Sequence, residues 1–189
     1  LLVKKERFFL RRLRGRRGVL LDLGCGGGWR LLATVGPVAG VDVSQSSLRQ
    51  AAQVYHGVVR ADLAALPFTD GAFDLVVSLD VLGHVPSHLK DGVLREIRRV
   101  LKDGGQTLHY VEAEGQDPLN RFARRYPELY ARHIVAPEGH VGLEPAGAVF
   151  RRFRAAGFVP LCEIAAYKGL VHLRRFVQCF DNGYRECSW

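Results

Sequence analysis

Methionine is missing from all 189 residues, and the chain opens on Leu1. That leads us to expect a trimmed product, with its true ends unknown. Cysteine is scarce: Cys25, Cys162, Cys179 and Cys187 form no Cys-x-x-Cys pair and have no histidine at ligand spacing. This argues against a zinc site or a disulfide framework and leaves a reducing cytoplasm as the expected compartment. No apolar run approaches the roughly 20 residues of a membrane span. No low-complexity tract is present, and 48% of the residues are hydrophobic. Together these features exclude a disordered or membrane-spanning chain and leave one globular domain with a continuous core.

Acid is what the N-terminus lacks. Residues 1–17 carry eight Lys or Arg against Glu6 alone, a net +7 of the chain's total +8. The expected unit there is a basic helical arm (1–17), ending at Gly15 and preceding a nearly neutral body (18–189). Leu2, Phe9, Leu10 and Leu13 form its apolar side, expected to cap a sheet, while the basic side is either solvated or meets nucleic acid or an anionic membrane surface. Its Arg-rich, acid-poor make-up is also that of a transit peptide, although serine is missing.

What the chain has in abundance is glycine, 21 residues in all, and the densest cluster is Val19-Leu-Leu-Asp-Leu-Gly-Cys-Gly-Gly-Gly28. An apolar run around one acid, then glycines, then Trp29–Ala33 reads as buried strand, tight turn and helix. Such a turn, at a helix N-terminus, suits a carboxylate or phosphate pressed against bare backbone. A dinucleotide fingerprint would need its third glycine at residue 29 or 31, where Trp29 and Leu31 stand, and no Gly-Lys-Ser/Thr follows for a P-loop.

Further strands are expected at 38–43, 57–63, 73–79 and 106–111, separated by helices at 44–54 and 87–101. The acids Asp42 and Asp62 close the second and third strands. In a doubly wound sheet such strand ends border the ligand crevice, and an acid about twenty residues after the glycines suits a ribose. Asp42 can equally help Ser44 cap the next helix. Ser87 is the expected cap of the helix after strand four, with Gly104 and Gly105 closing it. The later chain yields an aromatic and basic stretch (117–143), a helix at 144–156 and a sixth strand at 159–166. Leu170 to Phe180 follow helical spacing rather than a seventh strand.

Asp22-x-Gly24-x-Gly26-x-Gly28, then Asp62-x-x-x-Leu-Pro-Phe68, Phe73-Asp-Leu-Val-Val-Ser78, Asp80-Val-Leu-Gly-His84-Val-Pro86 and Arg99-Val-Leu-Lys-Asp-Gly-Gly105 form a series. It resembles the class I S-adenosylmethionine-dependent methyltransferases, in their small-molecule branch (the type 11-like domain). The likeness is dense over residues 18–115. It departs at Gly83, where the family often has a second histidine, and at Asp103, where it usually has proline.

The resemblance implies an α/β, Rossmann-like, doubly wound and mostly parallel sheet of six or seven strands in three layers. It implies S-adenosyl-L-methionine as cofactor and S-adenosyl-L-homocysteine as product. Backbone at Gly24, Gly26 and Gly28 would approach the methionine part near Asp22. Asp42 would take the ribose hydroxyls and Asp62 the adenine amino group, with Val43 and Leu63 sandwiching the ring. Backbone at Ser78 and Leu79 would lie beside the ammonium and the transferring methyl. His84 is the candidate proton acceptor, with His109, Tyr110 and His140 as further candidates. Residues 117–143 would cover the substrate.

No Asn/Asp-Pro-Pro-Tyr, no Pro-Cys and no metal cluster is present, which argues against adenine or glutamine N-methylation, cytosine C5 chemistry and metal-assisted catechol chemistry. A small-molecule acceptor is the leading expectation. An RNA-modifying enzyme using the basic arm, or a non-catalytic binding module, are the alternatives.

Overall fold

The computed structural model describes residues 2–115, 118–136 and 139–163. Among these the chain divides into two compact units. One holds the residues up to Leu82 together with His88–Val111; the other holds Gly83–Ser87 and the residues from Glu112 on.

The first unit is a five-stranded, wholly parallel sheet. Its strands are β1 (Leu20–Leu23), β2 (Val38–Asp42), β3 (Gly57–Arg60), β4 (Phe73–Leu79) and β5 (Leu101–Tyr110), in the order β3-β2-β1-β4-β5. All four residues of β1 are buried, as befits a central strand covered on both faces. The chain winds outward from β1 to β2 and β3, then crosses back and winds the other way from β4 to β5. Right-handed crossovers therefore put α2 (Arg30–Ala33) and α3 (Gln45–Ala51) on one face and α4 (Lys90–Val100) on the other. The order reverses between β1 and β4, so a crevice opens at their carboxyl ends.

One face is filled by Leu20, Leu32, Val38, Leu48, Ala51, Tyr55, Leu75 and Val77, with Phe9 and Leu13 of α1 (Leu2–Leu13). Phe9 meets Trp29 edge to face, ring centroids 5.4 Å apart. Leu10 departs from expectation: it is 49% exposed, because Phe9 and Leu13 already occupy the stripe of α1 that faces the sheet. Val93, Leu94, Ile97 and Val100 form the buried stripe of α4.

Several boundaries shift. β3 stops at Arg60, so Asp62 lies two residues past it rather than on its tip. Ser87 caps nothing: a turn precedes α4, whose N-cap position is Leu89. The expected glycine close at Gly104–Gly105 is also displaced. α4 ends at Val100 and β5 starts immediately, because Leu101 pairs with Phe73; residues 102–105 then loop out before Gln106 pairs with Leu75. The sheet has five strands among the described residues, fewer than the six or seven expected. Residues 159–163 are not a strand, and Val159 and Leu161 stand 85% and 75% exposed, with no sheet to bury them. The rest of that expected strand (164–166), and the helical spacing at 170–180, lie outside the described residues.

The second unit contains α5 (Pro118–Ala123), α6 (Pro127–Tyr130), a π-helical turn (Ala131–Val135) and α7 (Ala146–Ala155). Ala123 and Tyr130 form its small core. Arg152 grips the Glu144 carboxylate through Nη2 (2.7 Å) and Nε (3.0 and 3.1 Å), tying α7 to the segment before it.

Candidate active site

The turn after β1 is held by three glycines with left-handed backbone: Gly24 (φ 60°), Gly26 (51°) and Gly28 (82°). They are not equivalent. A Cβ on Gly24 would sit 2.5 Å from Val81 Cγ2, and one on Gly28 would sit 3.1 Å from Ala51 Cα. Those two glycines let protein pack on protein. A Cβ on Gly26 would meet nothing within 4 Å. Its main chain is bare toward open space, as a close ligand requires. The helix that follows, α2, is only four residues long, so it carries little macrodipole. The expectation of a carboxylate or phosphate at a helix N-terminus is corrected accordingly.

Carboxylates dominate the surroundings of the turn instead. Asp22 is 3% exposed, and its Oδ2 accepts the Tyr55 hydroxyl at 2.6 Å. Tyr55 Oη in turn accepts the Trp29 N–H at 2.7 Å, so one phenol spans the acid and the far end of the turn. Burial raises the Asp22 pKa to about 7; the Tyr55 hydrogen bond opposes this and the Asp42 charge adds to it. Burial, then the Asp22 charge, raises the Tyr55 hydroxyl above its ordinary value, so it remains a donor. Burial pushes the Cys25 thiol up to about 12, with Asp22 and Asp42 adding to the shift; that thiol is no nucleophile.

Asp42, the last residue of β2, accepts the Gly26 N–H through Oδ2 (2.9 Å) and the Ser44 N–H through Oδ1 (2.8 Å). Of the two sequence readings of this acid, the structure shows the one at the start of the next helix, where Asp42 holds the Ser44 N–H. It braces the turn and the start of α3, and each oxygen keeps a second lone pair. Val43 beside it is 66% exposed, an apolar side chain at a strand tip. Asp62 is exposed, its Oδ1 accepting the Ala64 N–H at 2.8 Å, and Leu63 is half-buried.

Ser78 is buried near the end of β4 and hydrogen-bonds His109 Nδ1 at 2.7 Å. Proton positions follow from what lies beyond. Thr107 donates its hydroxyl to the Val76 carbonyl (3.1 Å), so its oxygen accepts from His109 Nε2. Desolvation lowers the His109 pKa to about 3, which keeps it neutral with an acceptor at Nδ1. Ser78 therefore donates to His109 and shows only lone pairs elsewhere. His109 is thereby bound into a structural network. Leu79 ends β4, and Asp80 follows with φ 57°, the single non-glycine residue with positive φ among those described.

The structure thus brings Asp22, Gly24, Gly26, Gly28 and Asp42 together in the first unit, joined by Tyr55, which sequence reasoning missed. Tyr55 stands 33 residues from Asp22, and no spacing rule announces the pair. His84 belongs to the second unit. It is exposed, its Nδ1 lies 3.1 Å from the Gly139 carbonyl oxygen, and its ring stacks on that of His140.

Open main chain at Gly26 and the two neighbouring carboxylates, Asp22 and Asp42, stand together at the carboxyl ends of β1 and β2, where a ligand with a cationic group and a diol would find acceptors. S-adenosylmethionine, with its sulfonium, ammonium and ribose diol, fits that donor set. A family model described as a methyltransferase domain matches residues 21–109. A ubiquinone biosynthesis O-methyltransferase of Bordetella avium is 34% identical over 83% of this chain and 72% of its own length. A malonyl-[acyl-carrier protein] O-methyltransferase of Erwinia pyrifoliae is 35% identical over 55% of this chain and 46% of its own. In fold alone, phosphoethanolamine N-methyltransferase 2 of Haemonchus contortus, solved with S-adenosyl-L-methionine, superposes with a TM-score of 0.66 at 22% identity, over 82% of this chain and 37% of that one. The chain belongs to the class I S-adenosylmethionine-dependent methyltransferases. It spans about half the length of several curated relatives it matches, such as 56%, 46% and 52% of three of them.

Proposed function

We propose that this protein transfers a methyl group from S-adenosylmethionine to a small organic acceptor in the cytoplasm. The observation that carries the reading is the open main chain of Gly26, braced by Asp42 and lying in the negative field of Asp22 and Asp42. The cofactor supplies an activated methyl on its sulfonium. The protein's task is to hold, align and keep dry. Asp22 and Asp42 attract the cationic end, and Asp42's remaining lone pairs receive the ribose hydroxyls. Asp62 accepts from the adenine amino group, Val43 and Leu63 cover the ring, and Ser78 and Leu79 border the ammonium. His84 accepts the acceptor's proton where one must leave. The two curated relatives described above carry O-methyltransferase names, which favours an oxygen acceptor.

A second reading, with RNA as acceptor, is favoured by one observation. Arg7, Arg11, Arg14 and Arg17 are exposed, and none has an acidic partner among the described residues. The apolar stripe of α1 is already spent on the protein's own core, which leaves charge without a wedge for lipid.

Calorimetric titration with S-adenosylmethionine and S-adenosylhomocysteine tests the main reading. We expect binding in the wild type and its loss in Gly26→Ala, whose added methyl meets no protein atom, with the unfolding midpoint measured beside it because the left-handed backbone (φ 51°) strains any side chain there; Asp42→Ala should weaken binding by about 1.5–3 kcal/mol. Intact binding in Gly26→Ala would remove the reading's support. The same protein titrated with structured RNA at two salt concentrations decides the second reading. Salt-sensitive binding abolished by replacing the four arginines with glutamine would move RNA to first place; no RNA binding ends it.

A further inference from the structure

In the second unit, residues 139–144 are tied both to the segment that carries His84 and to the segment after β5. The Gly142 N–H donates to the Gly83 carbonyl (3.0 Å), and the Glu114 N–H donates to the Glu144 carbonyl (2.8 Å). Within this seam the buried ring of His140 lies flat against the ring of His84, centroids 4.4 Å apart and planes 26° from parallel. Gly83 makes the room. A Cβ there would stand 3.1 Å from His140 Cδ2 and 3.5 Å from the Glu112 carbonyl oxygen. The Glu112 carboxylate lies 3.4 Å from His140 Nε2, an ion-pair separation.

From this geometry we infer that His140 is a positioning residue for His84, tethered by Glu112 and admitted by the missing side chain of Gly83. A carbonyl oxygen only accepts, so the contact to Gly139 puts the His84 proton on Nδ1. The neutral ring then presents the Nε2 lone pair to solvent. Stacking on His140 fixes the plane of the ring and so keeps Nδ1 aimed at Gly139. An exposed imidazole without that wall would rotate and sample both tautomers. The chemistry this prepares is acceptance of a proton from a hydroxyl or amine of a methyl acceptor, and to that extent the inference rests on the proposed methyl transfer.

The test reads the ring itself. In the full chain labelled with ¹⁵N-histidine, two-bond nitrogen–proton correlations at alkaline pH report the tautomer of each neutral imidazole. We expect His84 to be held as the Nδ1–H form in the wild type. That preference should be lost in His140→Ala, and reduced in Gly83→Ala, whose methyl displaces the ring by a few tenths of an ångström without removing it. It should be restored in His140→Phe, which keeps a flat wall but no nitrogen. The amide spectrum of the sheet residues serves as the check that each variant is folded. A folded His140→Ala that keeps His84 as the Nδ1–H form, or a folded His140→Phe that fails to restore it, overturns the inference. Cofactor titration is independent of both outcomes. Its failure with the tautomer held sinks the methyl-transfer reading alone; success with a mixed tautomer sinks this one alone.

Discussion

A carboxyl that stays partly protonated near neutral pH is an unusual neighbour for a cofactor turn, and Asp22 is one. Burial holds its pKa at about 7, and the Asp42 charge contributes. A cationic ligand favours the carboxylate, so binding should expel a proton from the fraction of molecules that still hold one. S-adenosylmethionine should therefore bind more tightly as pH rises through about 7, with proton release visible as a dependence of calorimetric heat on buffer ionisation enthalpy. Asp22→Asn should flatten both. Tightening on acidification would contradict the electrostatic account of the site. Tyr55 sharpens this expectation: its hydroxyl donates to Asp22 and accepts from Trp29, so Tyr55→Phe should raise the Asp22 pKa further and move the same curve to higher pH.

Among the elements, α1 has two faces with different duties. Phe9 is fully buried against Trp29 and the sheet's core, whereas Arg7, Arg11 and Arg14 look outward. Phe9→Ala should cost about 3–5 kcal/mol in denaturant unfolding, and replacing any one of those arginines with glutamine should change stability by less than about 0.5 kcal/mol. Equal effects at the two kinds of position would mean that α1 does not pack as described. Removing the arm outright would expose that core, so charge substitution is the cleaner probe of the arginines. β1, β2 and β4 were legible because each is a short apolar run closed by acid or glycine, and the Asp22–Gly28 motif placed the turn by spacing alone. The start of β5 was not. Leu101-Lys-Asp-Gly-Gly105 has the composition of a helix end, and only pairing with Phe73, 28 residues earlier, turns it into a strand. Tyr55 beside Asp22 and His140 against Gly83 were hidden for the same reason. Each is a tertiary contact between segments whose local sequence says nothing of the other.

Across the described residues, two groups shifted by desolvation, half-buried His109 and buried Asp22, pull stability in opposite directions with pH. His109 stays neutral in the fold down to about pH 3 but titrates near 6.5 once unfolded. Below about 6.5 the unfolded chain gains a proton that the fold refuses, so stability falls as pH drops from 6.5 towards 3. Asp22 behaves inversely. It keeps its proton in the fold up to about 7 but loses it near 3.8 when unfolded, so stability falls as pH rises from 3.8 to 7 and is level beyond. Over their shared window the two slopes offset one another, and the wild type should show a shallow profile between about pH 4 and 6.5. Single variants separate them. His109→Gln should leave the Asp22 slope exposed, giving a protein that gains stability on acidification towards pH 4. Asp22→Asn should leave the His109 slope, giving one that loses it. Urea midpoints measured across that range decide the matter: two variants with slopes of the same sign would show that at least one of these groups ionises in the fold as it does in water.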